Sequence, residues 1–143
     1  MVSRAFLPEV QRTFDRVLQG HGFGIVEAVD SESFDNGYVI AASPDFRLRF
    51  VRDRGFVSVE IARTSAPDDW YDAEVVRALV TGGDPGQEID LNRMSEFLDE
   101  HYSTLARMFR ADAWPNTEAQ IRRVGLERLQ NTLPKAFPAK KDT

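Results

Sequence analysis

Phe46-Arg47-Leu48-Arg49-Phe50-Val51-Arg52-Asp53-Arg54-Gly55-Phe56-Val57-Ser58-Val59-Glu60-Ile61-Ala62 decides the fold. Phe46, Leu48 and Phe50 fall on one parity, with Arg47 and Arg49 on the other. That period of two marks a strand with one buried face. Asp53, Arg54 and Gly55 supply a turn, after which Val57, Val59 and Ile61 alternate with Ser58 and Glu60. The stretch therefore predicts an antiparallel hairpin, residues 46–52 against 56–62. With Arg54 and Gly55 in the turn, Phe50 faces Val59, Leu48 faces Ile61 and Arg49 faces Glu60. A turn at Asp53-Arg54 also keeps like faces together, so the parity of the pairing is fixed and its register stays open.

Upstream, residues 38–42 (Tyr-Val-Ile-Ala-Ala) reach the hairpin through a Ser43-Pro44-Asp45 turn and form a further strand. Residues 23–29 alternate Phe23, Ile25, Glu27 and Val29 with Gly24, Val26 and Ala28, predicting the first strand, and 30–37 is a polar loop. Ahead of it, Phe6, Leu7, Val10, Phe14, Val17 and Leu18 recur at helical spacing, with Ser3 as a cap and Gly20 as a stop. Downstream, Pro67, Asp68 and Asp69 open a helix whose stripe is Trp70, Val75, Val76, Leu79 and Val80, and Gly82-Gly83 end it. A longer helix spans about 90–110 with Leu91, Met94, Leu98, Leu105, Met108 and Phe109 inward. Trp114-Pro115 breaks it, and Thr117 with Gln120 has the capping-box spacing for a last helix to about residue 131. The expectation is an α+β domain: a four-stranded antiparallel meander with an N-terminal helix and three C-terminal helices on one face. It predicts a single domain over 1–132 and a loose tail over 133–143.

The chain has 143 residues, 42% of them hydrophobic and 29% charged, with no cysteine and a net charge of −5. Roughly two-thirds of the surface of a chain this size is buried on folding, enough for one core. No apolar run approaches the ~18 residues of a membrane span, and Pro8 and Glu9 interrupt any leader-like segment. These features predict a cytoplasmic protein without disulfides. The charge is concentrated in the middle, where residues 67–110 carry 4 basic and 10 acidic side chains.

Nothing in the pattern assembles a reaction. His21 lies in Gly20-His21-Gly22, a turn, and His101 sits at the border of the long helix between Leu98 and Leu105, where a packed histidine is the simpler reading. Glu96 and Glu100 share a helix face, but His101 is ~100° further round from Glu100, so no metal is predicted. The glycine-rich stretches 20–24 and 82–86 lack the strand-then-helix order or the Gly-Lys ending of a phosphate loop. Arg47, Arg49, Arg52 and Arg54, or Arg122, Arg123 and Arg128, could meet a nucleic acid, but the net charge argues against it. No cofactor is predicted.

What remains is the acidic block with Trp70 and Tyr71 at its start. Clustered carboxylates speed association with a basic protein surface, and an aromatic residue can anchor it. Asp68, Asp69, Tyr71, Asp72, Glu96, Asp99 and Glu100 are the candidate partner-binding residues. Tyr71 is read as the freer aromatic, since Trp70 starts the helix's apolar stripe. The strand 38–42, apolar on both faces, leaves room for a protein partner or for a homodimer through the sheet face.

The run from Phe46 to Gly55, followed by Val57, Val59, Glu60, Ile61 and Trp70-Tyr71-Asp72, resembles a pattern in small uncharacterised bacterial α+β proteins. Some of those are regarded as immunity proteins of toxin systems. The resemblance covers about residues 46–80 and implies a bacterial cytosolic, protein-binding inhibitor. The leading expectation is thus a non-enzymatic binding module that uses its acidic helical surface or its open sheet face. The alternative is a small-molecule-binding or enzymatic domain with a pocket between sheet and helices, using Glu100, His101 or Tyr102.

Overall fold

The hairpin forms as the alternation requires. In the computed structural model, which describes residues 5–31 and 35–132, β3 (Phe46–Asp53) pairs antiparallel with β4 (Phe56–Arg63). Leu48 stands opposite Ile61, Arg49 opposite Glu60 and Phe50 opposite Val59. Arg54 and Gly55 are the two turn residues, with φ of 53° and 83°. Two successive left-handed residues give a turn whose twist matches that of the flanking strands, which selects this register over the alternative.

The sheet extends on both sides of the hairpin. β2 (Asn36–Ala42) pairs with β3, and β1 (Gly24–Ser31) pairs with β2, giving the order β1-β2-β3-β4-β5. The fifth strand, β5 (Tyr71–Asp72), pairs with β4 at Ile61 and Glu60, so the sheet has five strands and not the four expected. Two residues are too short to show a period of two in sequence. A bulge interrupts the β1–β2 register between Ile25 and Glu27.

Val39, Ala41, Leu48, Phe50, Val59 and Ile61 line one face of the sheet and are buried there with side chains from the helices. The N-terminal helical region is two segments, α1 (Phe6–Thr13) and α2 (Asp15–Gly20), jointed at Phe14, whose ring lies 4.6 Å from that of Phe50. α3 (Ala73–Thr81) begins after β5, and Asp72 caps it by accepting a hydrogen bond from the Glu74 N–H. Gly82 ends it in the left-handed conformation, at φ 74°, that favours glycine. The predicted long helix is again two, α4 (Leu91–Glu100) and α5 (Tyr102–Met108), jointed at His101. Asp90 caps α4 from the Arg93 N–H.

α6 (Trp114–Thr132) starts three residues before the expected cap. Pro115 lies in its first turn, where the missing N–H costs nothing, and so opens the helix instead of breaking one. Thr117 is buried inside that helix and is not its cap. The predicted cap Ser3 and the tail 133–143 lie outside the described residues. No helix among the described residues is long and apolar enough to cross a membrane.

Candidate binding surface

The acidic residues singled out from sequence have diverse surroundings. Asp68 and Asp69 are exposed in the segment before β5, and Glu96 and Glu100 are exposed on α4. Asp72 is engaged twice, as the α3 cap and in an ion pair with Arg128 of α6. The Asp99 carboxylate lies 3.0 Å from His21 Nε2, with both side chains about three-quarters buried.

The two aromatics exchange the places expected of them. Trp70 precedes β5 and is not part of the α3 stripe. Its ring meets the guanidinium groups of Arg49 at 4.6 Å and Arg47 at 5.9 Å on the sheet face away from the core. Arg47 also donates to the Pro67 carbonyl, so this segment folds across one end of that face. Tyr71, read as the freer of the two, pairs with Ile61 on the core side and sets its ring 5.2 Å from Trp114. Strand alternation forces this exchange, since adjacent residues of an extended segment point to opposite faces.

A polar cluster joins distant parts of the chain beneath α5. The Tyr102 hydroxyl lies 2.7 Å from Ser43 Oγ and 2.8 Å from Asp45 Oδ2, and the His21 ring stacks on the Tyr102 ring at 4.1 Å. Burial above all pushes the Tyr102 phenol up to about 12; the Ser43 bond opposes that shift and Asp45 reinforces it. Ser43 Oγ donates to the Phe46 carbonyl and accepts from the Asp45 and Phe46 N–H groups, which makes it the organiser of the β2–β3 turn. His21 Nε2 is aimed at Asp99, so serine and histidine are not disposed as nucleophile and base. His101 lies half-buried at the α4–α5 joint with its ring 5.1 Å from Phe97. A cavity of about 140 Å³ does lie between sheet and helices, bordered by Val57, Val59, Met94, Asp72, Glu74 and Arg128 among others. Glu100, His101 and Tyr102 are not among its lining residues. Among the described residues no group of three or more His, Asp or Glu side chains could hold a metal ion.

The unpartnered surface lies instead on the sheet. On the face opposite the core, Tyr38 donates a 2.6 Å hydrogen bond to Glu27, and Arg49 pairs with Glu60 at 2.6 Å. On the same face, Val29 of the edge strand β1 and Phe56 at the start of β4 are 40% and 82% exposed. β1 forms the long open edge of the sheet and is exposed along nearly its whole length, with Val26 56% exposed at the bulge. The alternation in residues 23–29 suits a strand with one face more buried than the other; as an edge strand, β1 is exposed on both. The periodicity of residues 23–29 could not show this, because exposure here depends on the place in strand order. Comparison with protein-family models, with curated proteins and with solved structures finds no significant match.

Proposed function

We propose that the chain is a non-enzymatic protein-binding module of the bacterial cytosol, of immunity-protein type, that holds its partner on the open sheet face and edge. The observation that carries this reading is the set of exposed apolar side chains, Val26 and Val29 on the edge strand and Phe56 at the start of β4, which lie on the sheet outside the core cluster. Exposed apolar side chains supply affinity when a partner desolvates them. The carboxylates of residues 67–110 contribute rate and selectivity toward a basic partner, because charge steers the encounter and the steering weakens with salt.

A photo-crosslinking residue replacing Val29 or Phe56, one at a time, tests the reading in cells, with the same residue replacing Glu100 as comparison. The expected result is a discrete protein adduct from positions 29 and 56. Adducts from position 100 alone would move the interface to the helical surface, and their absence from all three positions would overturn the binding reading.

A further inference from the structure

At the start of β1 the sheet edge opens into a groove of about 450 Å³ beside α1 and α2, bordered by Leu18, Phe23 and Ile25 and by Gln11, Asp15 and Gln19. Asp15 is exposed, and among the described residues its carboxylate has no hydrogen bond or ion pair. β1 runs on from this groove. Past the bulge at Val26, residues 27–31 pair with β2 in unbroken register, and among the described residues no strand pairs with their other edge. Neither β1 nor the groove contributes a lysine or arginine, whereas Asp15, Glu27 and Asp30 are all acidic.

We infer that this edge and groove take an extended, lysine- or arginine-bearing segment of the partner protein, added to the sheet as a further strand. The inference rests on the protein-binding reading above. Strand addition uses main-chain hydrogen bonds for affinity and alternate side chains for selectivity. Here one apolar side chain of the segment seats against Leu18, Phe23 and Ile25, and a basic one meets Asp15. Residues 25–31 offer room for a segment of about seven residues at ~3.3 Å per residue. Charge selects this occupant over a second copy of the chain, since a second β1 would bring its own Glu27 and Asp30 to an edge that already carries them and would supply no cation to Asp15.

A random library of about twelve-residue peptides, panned on the full chain, tests this. Counter-selection uses V29K and D15K, both exposed positions, each first shown to melt cooperatively like the parent. The expected result is enrichment of peptides that alternate apolar residues and carry Lys or Arg. Each variant should weaken their binding at least tenfold, N-methylation of one alternate set of peptide amides should abolish it, and methylation of the other set should leave it intact. Backbone amide shifts should map to residues 25–31. Enrichment of acidic or helical peptides, binding to either variant as tight as to the parent, concentration-dependent self-association through β1, or no enrichment would each overturn the inference. If crosslinks from positions 29 and 56 persist in any of those cases, the protein-binding reading stands without the added strand; if adducts are absent from positions 29, 56 and 100 alike, both fall.

Discussion

The Arg52 guanidinium lies over the Phe6 ring, 4.7 Å from its centre, and its side chain is only 1% exposed. Arg52 shares the inward parity of Leu48 and Phe50, so the alternation that buries the hairpin buries a cation with it. The charge is met by Glu9 of α1 at 3.2 Å, Asp35 before β2 at 3.2 Å and Asp30 of β1 at 3.7 Å. Asp30 also accepts a hydrogen bond from the Phe6 N–H, so the same carboxylate ties the start of α1 to the sheet edge. One buried side chain thereby locks the first helix, the edge strand and the hairpin in mutual register.

R52M removes the cation and leaves its three carboxylates facing one another. A loss of about 3 kcal/mol in unfolding free energy is expected, the scale for breaking a buried ion pair from one side. R52K should recover little of it, since an ammonium cannot reproduce the planar, multiply donating stack on Phe6. Urea denaturation of the two variants checks this, and equal stability of R52K and the parent would refute it.

Tyr102 makes a pH-dependent contribution at alkaline pH. Its phenol is raised from 10.0 to about 12 in the folded chain. The unfolded form therefore loses its proton first, and the contribution is complete below pH ~10 and lost as pH rises through about 12. Y102F should cost about 1–2 kcal/mol at neutral pH through the lost bonds to Ser43 and Asp45. It should also flatten the fall in stability between pH ~10 and ~12, which thermal melts across that range measure directly.

At Gly37, β2 leaves no room for a side chain beside β1. A Cβ there would meet the Val29 carbonyl oxygen at 2.8 Å and Asp30 Oδ1 at 3.2 Å. Backbone cannot yield as a flexible side-chain tip does, so G37A should push β1 outward and loosen the Asp30–Arg52 contact. The expected cost is about 1–3 kcal/mol, with faster amide hydrogen exchange in β1 than in β3 or β4. Unchanged β1 protection would contradict it.

The two tryptophans should report opposite environments. Trp114 is 6% exposed and packs against Tyr71, Phe109 and the Arg63 guanidinium. Trp70 is only partly buried over Arg49. W114F should leave a fluorescence readily quenched by acrylamide, and W70F one that is shielded. W70A should cost about 1 kcal/mol or less, the worth of a partly solvated cation–π contact.

In the turn, Arg54 occupies the left-handed region at φ 53°, which asparagine and glycine adopt with less strain. R54N should raise the melting temperature slightly, by a few tenths of a kcal/mol in stability. A clear fall would show that the interactions of the arginine side chain outweigh the backbone strain.

Residues 46–62 alone determined the pairing parity of the central hairpin and the inward set Leu48, Phe50, Val59 and Ile61, because a period of two is a local property of an extended backbone; the helical stripes on either side of the strands added the α+β class. The same parity placed Arg52 inward, yet composition masks it: an arginine between Val51 and Asp53 reads as solvent-facing until Phe6, Glu9, Asp30 and Asp35 are gathered around it from elsewhere in the chain. Residue spacing likewise gave the helical stripes but not the joints at Phe14 and His101, which depend on the core each segment meets. Only the tertiary structure decided which strand is an edge, which of Trp70 and Tyr71 faces the core, and that His21, Ser43, Asp45, Asp99 and Tyr102 belong together. Those are relations between segments far apart in sequence, and the free energy that sets them comes from burial and pairing across the fold, to which no local pattern has access.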